Sequence, residues 1–180
     1  MGLPARKMLF LLPGGCMTKS VHVESALGVR KTATEDTVGS ILRTKGNLVW
    51  QIGPSATVYE ALSQMAERSV GALPVVSDGI LVGIITERDY ARKVVLQGRS
   101  SPDALVREIM TPSPVAITPE FTVMQCLRIM SMRRFRHLPV IEEGRLCGII
   151  SIGDLVAAII VNQAFTIEQL ETYIAAGYPA

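Results

Sequence analysis

Residues 83–89 read Gly-Ile-Ile-Thr-Glu-Arg-Asp, and residues 148–154 read Gly-Ile-Ile-Ser-Ile-Gly-Asp. Each is an apolar run ended by a hydroxyl, with a carboxylate three residues further on. At this offset residues 52–94 align with residues 117–159 without a gap, and 16 of 43 positions are identical. A constant offset held over that length marks a duplicated supersecondary unit.

Each copy reads as strand–helix–strand–strand–helix. A short strand is expected to end at Pro54 or Pro119. Thr57-x-x-Glu60 and Thr122-x-x-Gln125 are capping boxes, which satisfy the free amides at a helix start. The helices that follow place Val58, Ala61, Leu62 and Met65, or Val123, Cys126, Leu127 and Met130, on one face. Strands Leu73–Val76 and Leu81–Ile85 then form a hairpin through Asp78-Gly79, and Leu138–Ile141 and Leu146–Ile150 form its counterpart through Glu143-Gly144. A second helix starts at Thr86 or Ser151. Residues 37–43 predict a lead-in helix equivalent to Leu105–Met110. Residues 98–104 are a polar linker. Beyond the repeats, Thr166 and Gln169 predict one more capped helix, with a Phe165–Leu170 staple and a stop at Gly177. Its Ile167, Leu170 and Ile174 form a stripe suited to cover the core or a subunit interface.

The 180 residues support one ordinary domain or two small ones. A net charge of +2 is too near neutral for a protein that coats nucleic acid, so any basic site is local. Aromatic residues, at 5%, are too sparse for a broad base-stacking platform. Cys16, Cys126 and Cys147 are widely spaced, and His22 and His137 are the only histidines. That pattern gives no zinc site and no disulfide framework. It fits reduced thiols in a cytoplasmic protein, with Cys126 and Cys147 as small core residues. No apolar run approaches the roughly 18 residues needed to span a membrane. The stretch "MLFLLPGGC" after Arg6 and Lys7 imitates a short signal peptide, but Pro13 interrupts it and no small-x-small cleavage site follows. Met17 as the natural start and an import presequence are two readings of this segment. Residues 1–36 are expected to be a partly disordered leader.

The hydroxyl–carboxylate pairs have a structural and a functional reading. Structurally, Thr86 or Ser151 is an N-cap, and Asp89 or Asp154 completes a capping box beside the helix dipole. Functionally, the carboxylate accepts the two hydroxyls of a ribose, and the hydroxyl with the helix-start amides suits a phosphate. Basic residues add to the second reading. The stretch "RIMSMRRFRHLPV" supplies Arg128, Arg133, Arg134, Arg136 and His137. The copies differ here: Gly71-Ala72 stands over Arg136-His137, Arg88 over Gly153, and Arg92-Lys93 over Ala157-Ala158. Arginine is suited to phosphate because its planar fork makes paired, charge-assisted bonds.

The stretches "GALPVVSDGILVGIITERD" and "RHLPVIEEGRLCGIISIGD" resemble a tandem pair of CBS domains, a Bateman module. The resemblance covers residues 37 to about 162. "GIITERDYARKVVLQGRSS", "SIGDLV" and "FTIEQLETYI" are similar to the small stand-alone CBS-pair proteins of bacteria and a plant mitochondrial relative. The resemblance implies an α+β fold: two β-α-β-β-α units, residues 37–97 and 105–162, packed with pseudo-twofold symmetry, plus a C-terminal helix and tail over 163–180. It implies two clefts that bind adenine nucleotides, with AMP the first choice, then NAD(H), ADP or ATP. Asp89 and Asp154 would hold ribose, with Thr86 and Ser151 near phosphate. The base would lie against Ala72, Leu73 and Pro74 with Val49 and Trp50, or against His137, Leu138 and Pro139 with Val115 and Ala116. Met110-Thr111 match the family's lead-in, and Arg88, Arg134 and Arg136 would meet phosphates. The unequal charges suggest that the clefts differ in ligand, one taking AMP and the other a dinucleotide.

The implied function is an adenine-nucleotide sensor of energy or redox state. It would act as a homodimer on an unidentified separate partner protein. An enzyme is not expected: the chain has no nucleophile–base pair, metal cluster or P-loop. The competing reading is a nucleic-acid binder or ligand-free scaffold built on the Arg128–Arg136 patch, which would bind RNA with steep salt dependence.

Overall fold

The computed structural model describes residues 36–46 and 48–175. The readings of the leader, Cys16, Met17, His22 and the Gly177 helix stop lie outside these residues. In chain order the elements are α1 (Val38–Lys45), α2 (Val58–Arg68), β1 (Ala72–Ser77), β2 (Ile80–Thr86), α3 (Glu87–Lys93), α4 (Val106–Ile109), β3 (Thr111–Pro112), α5 (Val123–Arg133), β4 (His137–Glu142), β5 (Arg145–Ser151) and α6 (Ile152–Ala175). The fold is α+β, with two repeated units that face each other through β2 and β5 in a pseudo-twofold arrangement.

Both expected capping boxes form. Thr57 Oγ1 accepts from Glu60 N at 3.1 Å while Glu60 Oε2 accepts from Thr57 N at 2.7 Å. Thr122 and Gln125 repeat the exchange at 3.3 and 2.9 Å. The buried face of α2 is Val58, Ala61 and Met65, and that of α5 is Val123, Cys126 and Met130. Burial pushes the Cys126 thiol up to about 12, as expected of an inert core cysteine. The hairpins β1–β2 and β4–β5 turn at Asp78-Gly79 and Glu143-Gly144, with φ of 51°, 77°, 48° and 80°. Positive φ at both central residues is what a type I′ turn requires. Each hairpin carries a bulge at the same place, Val75/Val76 and Val140/Ile141.

Two expectations are corrected. The strand before each capped helix is only a single parallel bridge, Ile52 to Val75 and Ile117 to Val140. Pro54 and Pro119 stand two residues on and have no N–H to extend a ladder. The separate C-terminal helix does not start at Thr166, because α6 runs unbroken from Ile152 to Ala175. Thr166 Oγ1 donates back to Asn162 O at 2.9 Å within that helix instead of capping a new one. The stripe Ile167, Leu170 and Ile174 is exposed and does not cover the core.

The lead-in helices cross over. Val38 and Leu42 of α1 are buried with Val123, Met130, Leu138, Ile150 and Leu155 of the second copy. Val106 and Ile109 of α4 are buried with Val58, Met65, Leu73 and Ile85 of the first. Backbone bonds hold both crossings: Val38 N donates to Phe121 O at 2.8 Å, and Val106 N to Ala56 O at 2.9 Å. A glycine receives each helix. A Cβ on Gly83 would stand 2.5 Å from Met110 Sδ, and one on Gly148 would stand 2.6 Å from Leu42 Cδ1. Each hydrophobic core is therefore built from both halves of the chain.

Candidate functional site

The strand β2 ends at Thr86, whose extended backbone (φ −131°, ψ 159°) hands over to α3. Thr86 Oγ1 accepts from Asp89 N at 3.1 Å and donates to Asp89 Oδ2 at 2.6 Å; Thr86 N donates to the same oxygen at 3.1 Å. Lys93 Nζ lies 2.8 Å from Asp89 Oδ1 and donates to Ile109 O at 2.6 Å. The second copy builds the same cap. Ser151 N and Oγ each donate to Asp154 Oδ2 at 2.7 Å, and Asp154 N donates to Ser151 Oγ at 3.2 Å. Its counter-ion comes from elsewhere: Lys45 Nζ, at the end of α1, lies 2.8 Å from Asp154 Oδ2. Burial works to raise the Asp154 pKa, but Lys45 and the Ser151 donors outweigh it and hold the carboxyl below its ordinary value of 3.8.

These caps correct one part of the functional reading. The helix-start amides are largely used: Glu87 N donates to Gly71 O at 3.2 Å and Ile152 N to Arg136 O at 2.9 Å, while Asp89 N and Asp154 N serve the caps. A phosphate here must be held mainly by side chains.

Such side chains converge on the Asp89 end. A cleft of about 510 Å³ is lined by Thr86, Glu87, Arg88, Asp89 and Arg92 from the first unit, by residues 113–115 with Thr111, and by residues 133–137 from the second unit. That volume is in the range of small-molecule sites. Five arginines, Arg88, Arg92, Arg133, Arg134 and Arg136, stand against two carboxylates. Ile84, Pro114, Val115 and Phe135 supply an apolar wall. Arg88 ties the units together, since its Nη1 donates to Arg134 O at 3.0 Å. Arg134 caps α5 in the left-handed conformation, φ 58°.

His137 lies in the same cleft, where its counterpart is Ala72. Burial is the main cause that lowers its pKa; Lys45, Arg136 and Arg88 add to this and Asp154 opposes it, so the ring is neutral at pH 7. Gly71 makes room beside it: a Cβ there would stand 3.3 Å from Glu87 Oε2 and 3.8 Å from His137 Cε1.

Of the residues singled out from the sequence, Thr86, Arg88, Asp89, Thr111, Val115, Arg134, Arg136 and His137 are brought together in this cleft. Ser151 and Asp154 stand at the other helix start beside Lys45. Leu73 and Leu138 are fully buried in the two cores, and Ala72, Pro74, Ala116 and Pro139 are also buried. Met110 packs onto Gly83. Trp50 packs against the first core with Arg68 stacked 4.0 Å from its ring centroid, and half-buried Val49 is close by in the chain. Arg92 and Arg133, basic residues of the sequence that the resemblance does not itself place in the site, also line the cleft. Arg92 follows Arg88 by four residues on one helix, a spacing that puts both on one face. Arg133 is the last residue of α5, just before the left-handed turn at Arg134. Lys45 as the partner of Asp154 depends on a contact across 109 positions, and no local pattern announces it.

Among the described residues no group of three His, Cys, Asp or Glu side chains could hold a metal ion. No helix among them is long and apolar enough to cross a membrane.

Two duplicated units with exchanged lead-in helices around a cationic, part-apolar cleft define a paired-repeat module. The chain belongs to the CBS domain family, whose profile matches residues 38–96 and 106–161. It is 39% identical over 152 residues to CBSX3, a mitochondrial CBS domain-containing protein of Arabidopsis thaliana, covering 79% of this chain and 73% of that protein. A solved structure from Burkholderia ambifaria, described as a candidate signal-transduction protein with CBS domains, is 46% identical with a TM-score of 0.67; 71% of this chain and 96% of that one are covered. The structure of CBSX2 in complex with AMP is 28% identical with a TM-score of 0.59, covering 71% and 98%.

Proposed function

We propose that this chain is an adenine-nucleotide-binding regulatory module whose main site is the Asp89 cleft. One observation carries the reading: a ribose-type carboxylate and hydroxyl, an apolar wall and five arginines line the same cleft. The base lies against Ile84, Pro114, Val115 and Phe135. Thr86 fills Asp89 Oδ2 with two bonds, and Oδ1, which meets only Lys93, keeps a lone pair for a ribose hydroxyl. Arginines beyond the two that one phosphate engages favour a ligand with more than one phosphate. AMP, ADP, ATP and NAD(H) are all candidates. AMP has support from CBSX2, which was solved with it. A ligand at Ser151 and Asp154 would share the carboxylate with Lys45, without the arginines that line the Asp89 cleft.

The module senses energy or redox state in the cytoplasm, acts as a homodimer and modulates a separate protein. Such control needs a nucleotide that binds two states of the module unequally. Nucleic acid fits less well. Arg133, Arg134 and Arg136 are in the concave cleft, whereas Arg128 is exposed on α5 outside it.

A thermal-shift panel of AMP, ADP, ATP, NAD⁺, NADH and S-adenosylmethionine on nucleotide-free protein tests this. A ligand at about 100 times its Kd adds roughly 2.7 kcal/mol, a rise of a few degrees in Tm. The rise is expected in wild type and in Asp154→Ala, and lost in Asp89→Ala. No rise with any nucleotide would return both motifs to simple helix caps and leave an interaction scaffold.

A further inference from the structure

Helix α6 outruns the body that anchors it. Leu155 is fully buried, Ala158 and Ile159 pack on the second core, and Asn162 Nδ2 donates to Asp36 Oδ2 at 3.3 Å. From Ile160 through Ile174 every residue is exposed. A helix of 24 residues is about 36 Å long, so well over half of α6 stands off the body. A free helix of that length is marginal in water, and helices in proteins are held mainly by covering an apolar face.

The exposed stretch has a seven-residue repeat. Ile160, Ile167 and Ile174 are spaced by seven, and so are Val156, Gln163 and Leu170. The two series interleave as the a and d positions of a heptad. Their apolar members are 45% (Val156), 60% (Ile160), 56% (Ile167), 57% (Leu170) and 76% (Ile174) exposed. At about 100° per residue this seam lies roughly a third of a turn away from the face of Leu155, Ala158, Ile159 and Asn162. The body therefore does not occupy it. A contiguous apolar seam this long is unusual on a monomer.

We propose that α6 pairs through this seam with α6 of a second copy as a parallel, two-stranded coiled coil. The pairing rests on the homodimer proposed above and adds its element, orientation and register. Isoleucine at a, as at 160, 167 and 174, with leucine at d, as at 170, is the pattern of two-stranded parallel coils. Gln163 sets the orientation. In a parallel pair it faces its own copy, and the two amides bond each other. In an antiparallel pair it faces isoleucine, and its amide is buried without a partner. Of the flanking positions Ala157, Ile159, Ala164, Thr166, Glu171 and Tyr173 only Glu171 is charged, and in a parallel pair it faces Thr166, so no like charges meet across the seam.

Disulfide trapping and sedimentation of the full chain test it. Ile174→Cys is exposed in one chain, so folding is not at risk. Parallel pairing brings two such cysteines within the Cα spacing a disulfide needs, about 4.4–6.8 Å. Mild oxidation is expected to link Ile174→Cys to itself far beyond the wild-type control, which carries the native cysteines. The double variant Ile167→Asp, Leu170→Asp is expected to raise the dimer dissociation constant at least about 100-fold and to lose helix signal on dilution. Linking of Ile174→Cys only to Val156→Cys in a mixture, or no linking above wild type, overturns the parallel pair. A dimeric wild type whose mass the double variant leaves unchanged overturns the seam alone. A wild type that stays at 19.5 kDa at tens of micromolar overturns the seam and the proposed dimer together.

Discussion

At Thr86–Asp89 and at Ser151–Asp154 the chain builds the same hydroxyl–carboxylate cap, yet different segments cross over to meet it. At the first, α4 stops at Ile109, and Thr111–Pro112 pairs with β2 as a third strand before turning into the cleft. At the second, α1 keeps its helix to Lys45, and the ammonium bonds Asp154. The path from Val38 to the bridge at Ile52 is three residues longer than its counterpart from Val106 to Ile117. Those residues let the first lead-in finish another helical turn. The arginines are equally one-sided, with five of them around Asp89. Duplication supplied a common frame, and the crossing segments and surface charges gave its two ends different chemistry.

The widest expected gap between the two ends is in ligand affinity. Asp89→Asn removes a charged acceptor and should weaken nucleotide binding by about 10- to 100-fold, the range of hydrogen bonds to charged groups. Asp154→Asn should leave the strongest binding event unchanged. Titration calorimetry of both variants decides this. Equal losses would mean that the two ends are functionally equivalent in spite of Lys45.

The receiving glycines give the next contrast. Gly148→Ala pushes a methyl into the buried, branched Leu42 and should cost about 1–3 kcal/mol. Gly83→Ala meets mainly Met110, which is unbranched and only half-buried and can bend aside, so it should cost less than half as much. Urea melts of the two variants measure the difference, and a reversed order would show that the two crossings are not packed as described.

Much of this frame was legible in the sequence because its signals are local. The capping boxes at Thr57 and Thr122 and the turns at Asp78-Gly79 and Glu143-Gly144 are each decided within four residues. The crossing of α1 and α4 between units was not legible, because it rests on packing between residues far apart in the chain, as in Val38 with Phe121 and Val106 with Ala56, that no periodicity encodes. Thr166 misled for a related reason. Its capping pattern is genuine, but no Gly or Pro between Ile160 and Ile174 ends the helix before it, so propagation of α6 wins. Charge differences between the copies were visible, and the fold then determined that Arg92 and Arg133 join Arg88, Arg134 and Arg136 in one cleft.

Lys45 offers a smaller test of the same asymmetry. The Asp154 pKa is lowered on folding, so its contribution to stability is present above the ordinary value of 3.8 and is lost as pH falls through the folded value. Lys45→Met should bring the folded value up and weaken that acid-side dependence. The Lys45 side chain is 43% exposed, so solvent screens the pair, and the loss at pH 7 should be about 0.5 kcal/mol. Acid titration of the melting point, with wild type and Lys45→Met side by side, reads both effects. Unchanged acid dependence would detach Asp154 from α1.

The smallest effect belongs to His137, and its sign separates two roles. Burial lowers its pKa, with Arg88 and Arg136 from the cleft and Lys45 beyond it acting in the same direction against Asp154. The unfolded chain, with an ordinary imidazole near 6.5, takes up its proton first as pH falls. Stability should therefore drop between about pH 6.5 and the folded value, then level off. His137→Ala copies its counterpart Ala72 and should flatten this slope, by about 1–3 °C in Tm. An anionic ligand in the cleft reverses the balance, because phosphate beside the ring favours the imidazolium. Binding should then take up protons and tighten as pH falls from 7.5 to 6 in wild type, but not in His137→Ala. Calorimetry in two buffers of different ionisation enthalpy reads that uptake directly. Proton uptake lost in His137→Ala would put the phosphates on the Arg136 side of the cleft. Uptake that survives the substitution would put them at Arg88 and Arg92, out of reach of the ring.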